Sequence, residues 1–420
     1  MFRTDLRKQD APLIKPDRYI ELDRQLSGQW IVMGDITGNG EHDLVSARND
    51  DQAVTTICAY ELSGNLLWSW GEAGAGGANL TYDVPLQIYD INGKGNSDVY
   101  FSTYDYLVHL DGKTGEEIEK FKLPDGLRTA DCIAFANLSG ERNGRASDII
   151  IKSRYRNVWA YTKDWDLLWS WKPFFRHKTC HYPTIVDLDG DGFEEVLAGR
   201  KMLNNDGSTL WKIKSRKTKH WGHLDAARIA IKGDTPAETR IIFTYCGAKY
   251  IAYMTGTGKI LWEDRDLHFE SIDVGTFNSD HPSPQFYVDI DHTPFGEAKG
   301  LFYDAEGNKF GKVCLNYGRQ HRSIDWNGNG LDEVIIANTL AIIDGNGKKV
   351  ASLEFKGENG SLTSQEVDRN THLHMGIWDI TGKGNGDVVL YSPGHVCIYE
   401  NPSESTEKHK RIEDKNFTFY

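Results

Sequence analysis

Histidines gather in the short segments that lead into a repeated apolar strand. More than half of the fourteen histidines fall in these lead-in segments. They are His177, His181, His220, His223, His268, His321, His372 and His374. An imidazole can accept or donate a proton near neutral pH. This residue type therefore indicates proton-transfer chemistry, or a metal held by several histidines.

Arginine and tyrosine side chains accompany the histidines. A guanidinium is a planar fork that clamps a carboxylate, and an aromatic ring offers a face to a sugar ring. The lead-in segments and the loops that join second and third strands contain Arg48, Tyr82, Tyr104, Arg128, Arg154, Arg156, Arg200, Lys201, Tyr245, Arg319 and Arg322. This combination of residue types fits an anionic glycan as the ligand.

A second chemical feature is an acidic loop that recurs about eight times along the chain. In each clear copy an apolar strand ends in Asp, a Gly-x-Gly turn follows, and an acidic residue precedes a second apolar strand. These copies start at Asp35, Asp90, Asp187, Asp325 and Asp379. Alternating side-chain oxygens at a sharp bend are the ligand pattern of calcium. We therefore expect bound calcium at some of these loops, with a structural rather than a catalytic role.

The copies differ in how well they would hold an ion. In two of them Lys94 or Lys383 stands where a third ligand would be, and we expect its ammonium, or turn hydrogen bonding, to replace the ion. The alternative for every copy is a glycine turn whose Asp caps the bend. The candidate ligands are Asp187, Asp189, Asp191 and Glu195 in the most acidic copy, and Asp325, Asn327, Asn329 and Glu333 in a less charged one.

The spacing of these loops predicts the fold. The repeat is roughly 40 to 55 residues long, which is the range of propeller blades. Each copy contains four short strands, and a turn such as Ser63-Gly64-Asn65 joins the last two. Such a unit cannot bury both of its faces alone. The sequence therefore predicts an all-β protein, a single eight-bladed β-propeller, with seven blades as the alternative if the weak unit around residues 271–315 is irregular.

The predicted ring fixes where the chemistry lies. Residues 1–17 are expected to form an N-terminal extension and residues 18–420 the propeller, whose ring would be closed by residues 18–22 or 417–420. The acidic loops join first and second strands on one rim. The lead-in segments meet on the opposite rim, because the first strands line the channel and bring residues that are distant in the chain to one mouth.

Charge and composition narrow the functional classes. The net charge of -13 argues against a nucleic-acid partner. No apolar stretch approaches a membrane span, and the first residues lack the apolar run of a signal peptide. The six cysteines stand singly, which indicates neither a zinc site nor a disulfide framework. We expect a cytoplasmic protein, or a secreted mature form whose leader was removed, and a monomer, since a closed ring exposes no sheet edge.

Part of the sequence resembles a known enzyme family. The run from His181 to Glu195 is followed by Asn205-Asp-Gly and by His223-Leu-Asp-Ala. This pattern is similar to the blades of bacterial rhamnogalacturonan lyases, and Gly34-Asp-Ile-Thr-Gly-Asn-Gly with Leu66-Leu-Trp also matches it. The resemblance implies an eight-bladed, calcium-binding propeller that cleaves rhamnose–uronate chains by β-elimination.

Two departures from the family pattern bear on the substrate. Those lyases carry an extra N-terminal β-domain, and they have His-Gly-Asp-Ala where this chain has His-Leu-Asp-Ala. The one-domain form is closer to related propeller lyases that remove terminal rhamnose from glucuronate on plant arabinogalactan or gum. The expected partner is therefore an acidic, rhamnose-containing plant glycan or oligosaccharide.

The resemblance also implies roles for rim residues. In β-elimination the uronate carboxylate must be neutralised before the C5 proton is removed, since the enolate would otherwise carry two negative charges. Candidates for this are Arg154, Arg156, Arg200 and Arg322, or a calcium ion, with Tyr104 as a further binding residue. His181 and His223 are the first choices for base and acid, His321 and His374 are the next, and Tyr82 or Tyr104 are the alternatives without histidine.

Two other functional classes stay open on the residues alone. A glycan-binding or protein-binding propeller would use the same rim without any reaction. A glycoside hydrolase would use a pair of carboxylates, for which Asp83, Asp131 and Asp225 are available near the same mouth. By itself the chemistry of the rim indicates an anionic ligand.

Overall fold

Each repeat forms four short antiparallel strands, because apolar residues alternate with small and polar ones between glycine-rich turns. Eight such blades surround a central channel in the computed structural model. The predicted eight-bladed β-propeller is confirmed, and the seven-bladed alternative is wrong because the sixth unit is a complete blade. The structure describes residues 1–80, 83–142, 145–174, 177–215, 222–293, 297–363, 373–404 and 415–419.

The strands follow the chain blade by blade. Three strands precede the first blade: β1 (Phe2–Asp5), β2 (Leu13–Ile14) and β3 (Arg18–Glu21). Blade 1 contains β4 (Trp30–Gly34), β5 (Asp43–Asp50), β6 (Ala53–Glu61) and β7 (Leu66–Gly71). Blade 2 contains β8 (Leu86–Tyr89), β9 (Asp98–Thr103), β10 (Tyr106–Leu110) and β11 (Glu117–Lys122). Blade 3 contains β12 (Cys132–Ala136), β13 (Asp148–Lys152), β14 (Val158–Thr162) and β15 (Leu167–Trp171). Blade 4 contains β16 (Thr179–Val186), β17 (Glu195–Gly199), β18 (Lys201–Leu203) and β19 (Thr209–Lys212).

The second half of the ring is built in the same way. Blade 5 contains β20 (Ala227–Ile231), β21 (Arg240–Tyr245), β22 (Tyr250–Thr255) and β23 (Ile260–Arg265). Blade 6 contains β24 (His268–Gly275), β25 (Gln285–Asp291), β26 (Ala298–Tyr303) and β27 (Lys309–Cys314). Blade 7 contains β28 (His321–Ile324), β29 (Glu333–Ile336), β30 (Ala341–Ile343) and β31 (Lys349–Leu353). A hairpin of β32 (Phe355–Gly357) and β33 (Gly360–Leu362) precedes blade 8, which contains β34 (His374–Trp378), β35 (Asp387–Ser392) and β36 (His395–Tyr399).

The three N-terminal strands add an outer strand to each of the last three blades. β1 pairs in parallel with β27, and β2 pairs in parallel with β31. β3 pairs antiparallel with β36 and is the fourth strand of blade 8. Of the two segments expected to close the ring, residues 18–21 therefore form the closing strand. Residues 1–17, expected as an extension, supply outer strands to blades 6 and 7.

Tryptophans of the outer strands hold neighbouring blades together. The indole of Trp169 in β15 donates a hydrogen bond to the carbonyl of Asn205 at 2.7 Å, and its ring covers Gly207 in the turn between β18 and β19. Trp68, Trp211 and Trp262 make the same contact with the turns of blades 2, 5 and 6. Only glycine leaves room, because a Cβ on Gly207 would lie 2.6 Å from the Trp169 ring. The repeated Leu-Trp pair is thus the link between successive blades.

Blades 2, 6, 7 and 8 lack this tryptophan, and blades 2 and 6 use another aromatic ring. β11 has no tryptophan, and Phe121 stacks at 5.0 Å on Trp165, which stands in the turn of the next blade. β27 also has none, and Phe2 of β1 covers Gly347 in the turn of blade 7. The N-terminal strand therefore replaces a contact that the sequence of blade 6 does not provide.

Residues 415–419 occupy the channel rather than a blade. Phe417 and Phe419 both pack edge-on against Trp30, at 5.3 and 4.9 Å between ring centroids. The backbone N–H of Phe417 donates to Gln87 at 3.0 Å, and Asn416 pairs with the backbone of Phe135. These partners belong to the first strands of blades 1, 2 and 3. We call this segment the channel segment.

The two ends of the ring differ in chemistry, as the sequence predicts. The acidic loops lie between the first and second strands and form what we call the loop rim. The lead-in segments and the loops between second and third strands form the opposite end, which we call the histidine rim. Among the described residues no helix is long and apolar enough to cross a membrane.

We predict that Gly207→Ala lowers the free energy of unfolding by about 2–4 kcal/mol, because the new methyl group meets the Trp169 ring and the left-handed backbone at φ +79° is strained. Gly360→Ala is the matched control, since Gly360 has φ +101° and open space around its Cβ position. It should cost about 1 kcal/mol. Denaturant unfolding measures both changes. Equal losses in the two variants would contradict the role given to the inter-blade contact.

Candidate functional site

Four side chains from blades 3, 4 and 5 meet at the histidine rim. The Nε2 atoms of His181 and His223 are 2.8 Å apart. The Tyr155 hydroxyl lies 3.2 Å from the His181 Nε2 atom and 3.3 Å from that of His223. Asp225 Oδ1 lies 3.1 Å from the His223 Nε2 atom. We call these four residues the rim cluster.

Backbone pairing between two adjacent blades places the imidazoles. His181 lies in β16, and its N–H donates to the carbonyl of Leu224, beside His223, at 3.0 Å. Asp225 is held on both sides, because its N–H donates to Thr244 and its Oδ2 atom accepts from the N–H of Cys246 at 2.6 Å. The chain just before β20 is therefore fixed against β16.

Tyr155 reaches the cluster from a tight turn between β13 and β14. Its φ of 61° is left-handed, a conformation that glycine, asparagine and aspartate adopt more readily than tyrosine. Asp51, Asp105 and Leu340 have the same conformation in corresponding turns of other blades, so the turn itself requires it. A tyrosine at this position carries a long aromatic side chain over the two histidines.

Burial sets the protonation state of the cluster. Burial and then the nearby His223 hold the pKa of His181 well below its ordinary value, so its imidazole is neutral near pH 7. Burial raises the pKa of Asp225, and the nearby His223 opposes that shift. Burial also raises the pKa of Tyr155, so this phenol keeps its proton. A neutral imidazole beside a protonated phenol can accept a proton and pass it on.

The same atoms could hold a cation. One ligand atom each from His181, His223 and Asp225 lie within 4.8 Å of one another. Asp225 Oδ1 is buried and has no hydrogen-bond partner among the described residues, although it faces an imidazole. Two imidazole nitrogens and a carboxylate oxygen are a common donor set for a divalent cation. These donor atoms thus fit a divalent cation. The alternative is a hydrogen bond between the two imidazoles, in which one shared proton holds their Nε2 atoms 2.8 Å apart.

A second group of ligating side chains lies beside the first. Cys246 Sγ is 3.8 Å from the His223 Nε2 atom, and one ligand atom each from Cys246, His268 and Glu270 also lie within 4.8 Å of one another. The hydrogen bond to Glu270 raises the pKa of His268. Glu270 also accepts from Arg319 at 3.2 Å. This group already contains an ion pair, so its charge is largely balanced.

The predicted arginines occupy different environments. Arg154 stacks over the Tyr155 ring at 4.6 Å and donates to its hydroxyl at 3.0 Å, which places it at the rim cluster. Arg156 is exposed in the same turn. Arg200 donates to the carbonyl of Ile213 and lies 3.4 Å from His177. Arg322 is 8% exposed and donates to the carbonyl of Thr418, so the channel segment covers it.

The remaining proton-transfer candidates lie away from the cluster. His321 is fully buried, with Nδ1 bonded to Asp273 and Nε2 at 3.4 Å from Asp289. Burial lowers its pKa, but the attraction and hydrogen bond of Asp273 raise the value to about 9. His321 is therefore a charged structural partner between blades 6 and 7, out of reach of a substrate in this conformation.

His374 and the tyrosine candidates are also placed elsewhere. The His374 ring packs on Phe419 of the channel segment at 4.6 Å. Tyr104, on blade 2, donates its hydroxyl proton to Asp50, and the Arg128 guanidinium lies over its ring at 4.8 Å. Tyr82 lies outside the described residues. Of the predicted catalytic residues, the structure brings together His181 and His223.

The carboxylates that a hydrolase would need are buried and engaged. Asp131 forms an ion pair with Lys152 at 2.5 Å, and both side chains are inaccessible. Asp83 accepts from Thr418 and from the N–H of Phe419, and burial raises its pKa to about 6. Among the described residues these carboxylates and Asp225 do not form an open pair that could flank a glycosidic bond.

The acidic loops share one internal hydrogen-bond pattern. Asp187 accepts from the N–H groups of Gly190 and Gly192, and Glu195 accepts from that of Leu188. Asp325 and Glu333 bond in the same way to the backbone of their own loop, and Asn327 donates from its side chain to Glu333. Asn329 Oδ1 is used by the N–H of Leu331. Capping of the bend is therefore common to these loops.

The most acidic loop has a feature that the others lack. Among the described residues it alone of the acidic loops places three carboxylates, Asp187, Asp189 and Glu195, within 4.8 Å of one another. Burial and these like charges, with Asp191, raise the pKa of Glu195 to about 7. In the second copy the Lys94 ammonium lies 2.6 Å from Asp98, where it balances the charge. In the eighth copy the Lys383 ammonium donates to the carbonyl of Asn401.

Sequence reasoning missed several residues of the site. Tyr155 stands between two arginines that were singled out, and a tyrosine at a turn position usual for glycine or aspartate was the available signal. Cys246 and Glu270 carry no spacing motif, and only the pairing of blades 5 and 6 brings them to the cluster. No pattern in the sequence indicates that the channel segment lies in the channel. This segment borders a cavity of about 370 Å³, which Asp225, Arg228 and Arg322 also line.

Comparison of the sequence with curated proteins gives two rhamnogalacturonan lyases as relatives. No family profile matches the chain. The chain is 24% identical to the rhamnogalacturonan endolyase YesW of Bacillus subtilis, over 73% of this chain and 57% of that protein. It is also 24% identical to the rhamnogalacturonan exolyase YesX of the same organism, over 66% of this chain and 54% of that protein. The chain thus spans about half the length of the curated relatives it matches.

A solved structure shows the same fold. The structure of a rhamnogalacturonan lyase of Bacillus licheniformis superposes with a TM-score of 0.65 at 18% identity, covering 96% of this chain and 77% of that one. At that identity the superposition shows the fold alone, and the relationship rests on the sequence matches to the two B. subtilis enzymes. The resemblance seen in the sequence is therefore confirmed: this chain is a β-propeller relative of the rhamnogalacturonan lyases.

Proposed function

We propose that the protein is a polysaccharide lyase that cleaves a rhamnose–uronate linkage of an acidic plant glycan by β-elimination. The observation that carries this proposal is the rim cluster, where neutral His181 shares one site with His223, Tyr155 and Arg154. The relatives with rhamnogalacturonan lyase activity support the reaction class. Both a rhamnogalacturonan and a terminal rhamnose on glucuronate contain the required linkage.

The reaction needs three contributions from the protein. Arg154 neutralises the uronate carboxylate, which lowers the cost of forming the enolate. His181 accepts the C5 proton, since its low pKa keeps the imidazole unprotonated near pH 7. Tyr155, hydrogen-bonded to both imidazoles, donates its proton to the leaving rhamnose oxygen, and the C5 proton taken by His181 then passes through His223 to restore the phenol.

The Asp225 Oδ1 atom has no hydrogen-bond partner among the described residues, and this favours cation binding by Asp225 and the two imidazoles as an alternative role of the rim cluster. When a divalent cation is bound by His181, His223 and Asp225, it supplies Lewis-acid neutralisation of the uronate carboxylate. An imidazole that ligates an ion cannot accept a proton at the same nitrogen. In that case Arg154 orients the substrate, and the proton acceptor is a group other than these two nitrogens.

We predict that His181→Gln and His223→Gln each lower the rate of formation of unsaturated uronate by about 100-fold or more. Ultraviolet absorbance of the unsaturated product, with rhamnogalacturonan, gum arabic and their oligosaccharides as substrates, measures this rate. The melting temperature should change little, because neither Nε2 atom holds a strand. His281→Gln is the control, since His281 lies at the opposite end of blade 6 beside Asp304.

Two outcomes bear directly on this assignment. Full activity in both variants would exclude the rim cluster as the reacting site. Loss of activity on chelation, together with loss of a tightly bound ion in His181→Gln, would show that the imidazoles ligate a cation and do not accept the proton.

We further propose that the loop from Asp187 to Glu195 binds one calcium ion with a structural role. The loop concentrates negative charge that the described residues around it balance only in part, through Lys415 at 2.5 Å from Glu194 and Arg142 at 3.9 Å from Asp191. Calcium takes such carboxylate oxygens. Binding to the folded state alone raises stability by mass action.

Calcium should raise the melting temperature of the wild-type protein by several degrees, and Asp189→Asn should remove most of that increase. The asparagine can still accept the hydrogen bond that Asp189 Oδ1 receives from the Asp191 N–H, so the turn is preserved. Asp206→Asn, in an exposed turn on the same rim, is the charge-matched control. An unchanged calcium response in Asp189→Asn would refute this ion site.

A further inference from the structure

Charges are segregated between the two rims in blades 3 and 4. Among the described residues from 150 to 215, every carboxylate lies on the loop rim, in the acidic loop of blade 4 or in the turns that join third and fourth strands. The basic side chains lie at the histidine rim, except Lys163 in a turn of the loop rim and the buried Lys152. Those at the histidine rim are Arg154, Arg156, Lys172, Lys178, Arg200, Lys201, Lys212 and Lys214.

Local carboxylates do not neutralise this basic surface. Lys172, Lys178, Lys212 and Lys214 are exposed, and none of them lies within 4.0 Å of a carboxylate in the part of the chain that the structure describes. The protein as a whole carries a net charge of -13, so the surface is opposite in sign to the rest of the molecule. A localised field of this kind attracts polyanions.

Aromatic rings alternate with these cations. The Lys178 ammonium lies 4.6 Å from the centre of the Tyr155 ring, and that of Lys201 lies 6.0 Å from the Trp171 ring. Phe174, which lies between Trp171 and Lys178 in the chain, is 83% exposed. A large exposed apolar ring beside cations suits a sugar that has one apolar face and one carboxylate.

This surface is continuous with the rim cluster. Tyr155 contacts both His181 and His223 on one side and Lys178 on the other. On the far side of the cluster, blades 5 and 6 mix charges of both signs at the same rim, where Asp266, Glu270 and Asp291 lie among Lys249, Arg265 and Arg319. A chain of acidic sugars is therefore attracted more strongly toward blades 3 and 4 than toward blades 5 and 6.

We propose that the basic and aromatic surface of blades 3 and 4 binds further acidic sugar units of the same glycan, outside the place of cleavage. The surface consists of Lys172, Phe174, Lys178, Lys201, Lys212 and Lys214, and we call it the basic track. This proposal rests on the proposed function, which supplies the identity of the ligand as an acidic glycan. It adds that several uronates of one chain bind at once, so that affinity rises with the length of the polymer.

The test compares two sets of four substitutions with the same change in charge. The track variant is Lys172→Gln, Lys201→Gln, Lys212→Gln and Lys214→Gln. The control variant is Lys113→Gln, Lys232→Gln, Lys259→Gln and Lys348→Gln, four exposed lysines on the loop rim. Affinity for high-mass rhamnogalacturonan and for its carboxyl-reduced derivative is measured by calorimetry at low and at physiological ionic strength.

The track variant should bind the acidic polymer about tenfold or more weakly at low salt, and the difference should shrink as salt screens the charges. The control variant should bind within about twofold of the wild type. The ratio of kcat/KM on the polymer to kcat/KM on the shortest cleaved oligosaccharide should also fall in the track variant.

The outcomes separate this proposal from the proposed function. Equal losses in both variants, or the same loss with the carboxyl-reduced polymer, would overturn the basic track while leaving lyase activity intact. Weaker polymer binding in the track variant without any unsaturated product would support the track and remove the lyase assignment. Tighter binding of an RNA homopolymer than of the glycan, lost in the track variant, would overturn the assignment of the ligand.

Discussion

An indole seated on a glycine turn of the next blade is the contact on which the ring depends. A single blade leaves apolar surface on both faces, so it is stable only when a neighbour covers each of them. The Trp169 contact with Gly207 fixes the distance between blades 3 and 4. The matching contact of Trp211 with Gly258 fixes the distance between blades 4 and 5. It brings β16 beside the chain that precedes β20, and this pairing sets His181 against His223.

The channel segment also determines which side of the histidine rim carries side chains that can react. The channel segment engages Asp83, Arg322 and His374 on blades 2, 7 and 8, so these groups serve the packing of the channel. The rim cluster on blades 3 to 5 remains at the histidine rim, and burial keeps the His181 imidazole neutral there. Proton transfer and charge neutralisation are therefore concentrated on one side of the ring. The basic track extends from that same side.

The fold was readable from the sequence because its signal is local and repeated. Clear Gly-x-Gly loops recur in five of the eight blades and Leu-Trp strands in four, at a regular spacing, and the eight-bladed ring follows from them. The site was readable only in part. His181 and His223 were identified, whereas the burial of His321 between Asp273 and Asp289 depends on contacts across 32 to 48 positions of the chain. The path of the channel segment likewise depends on long-range packing of Phe417 and Phe419, which no local pattern encodes.

The central claim is that the rim cluster performs an elimination, and the masses of the products from one defined rhamnose–uronate oligosaccharide test it most directly. Elimination breaks the linkage without adding water, so the masses of the two products should sum to the mass of the substrate. Products whose summed mass exceeds that of the substrate by one water would show hydrolysis and contradict the account. An oligosaccharide that is bound but left intact would contradict it as well, and would identify a binding propeller.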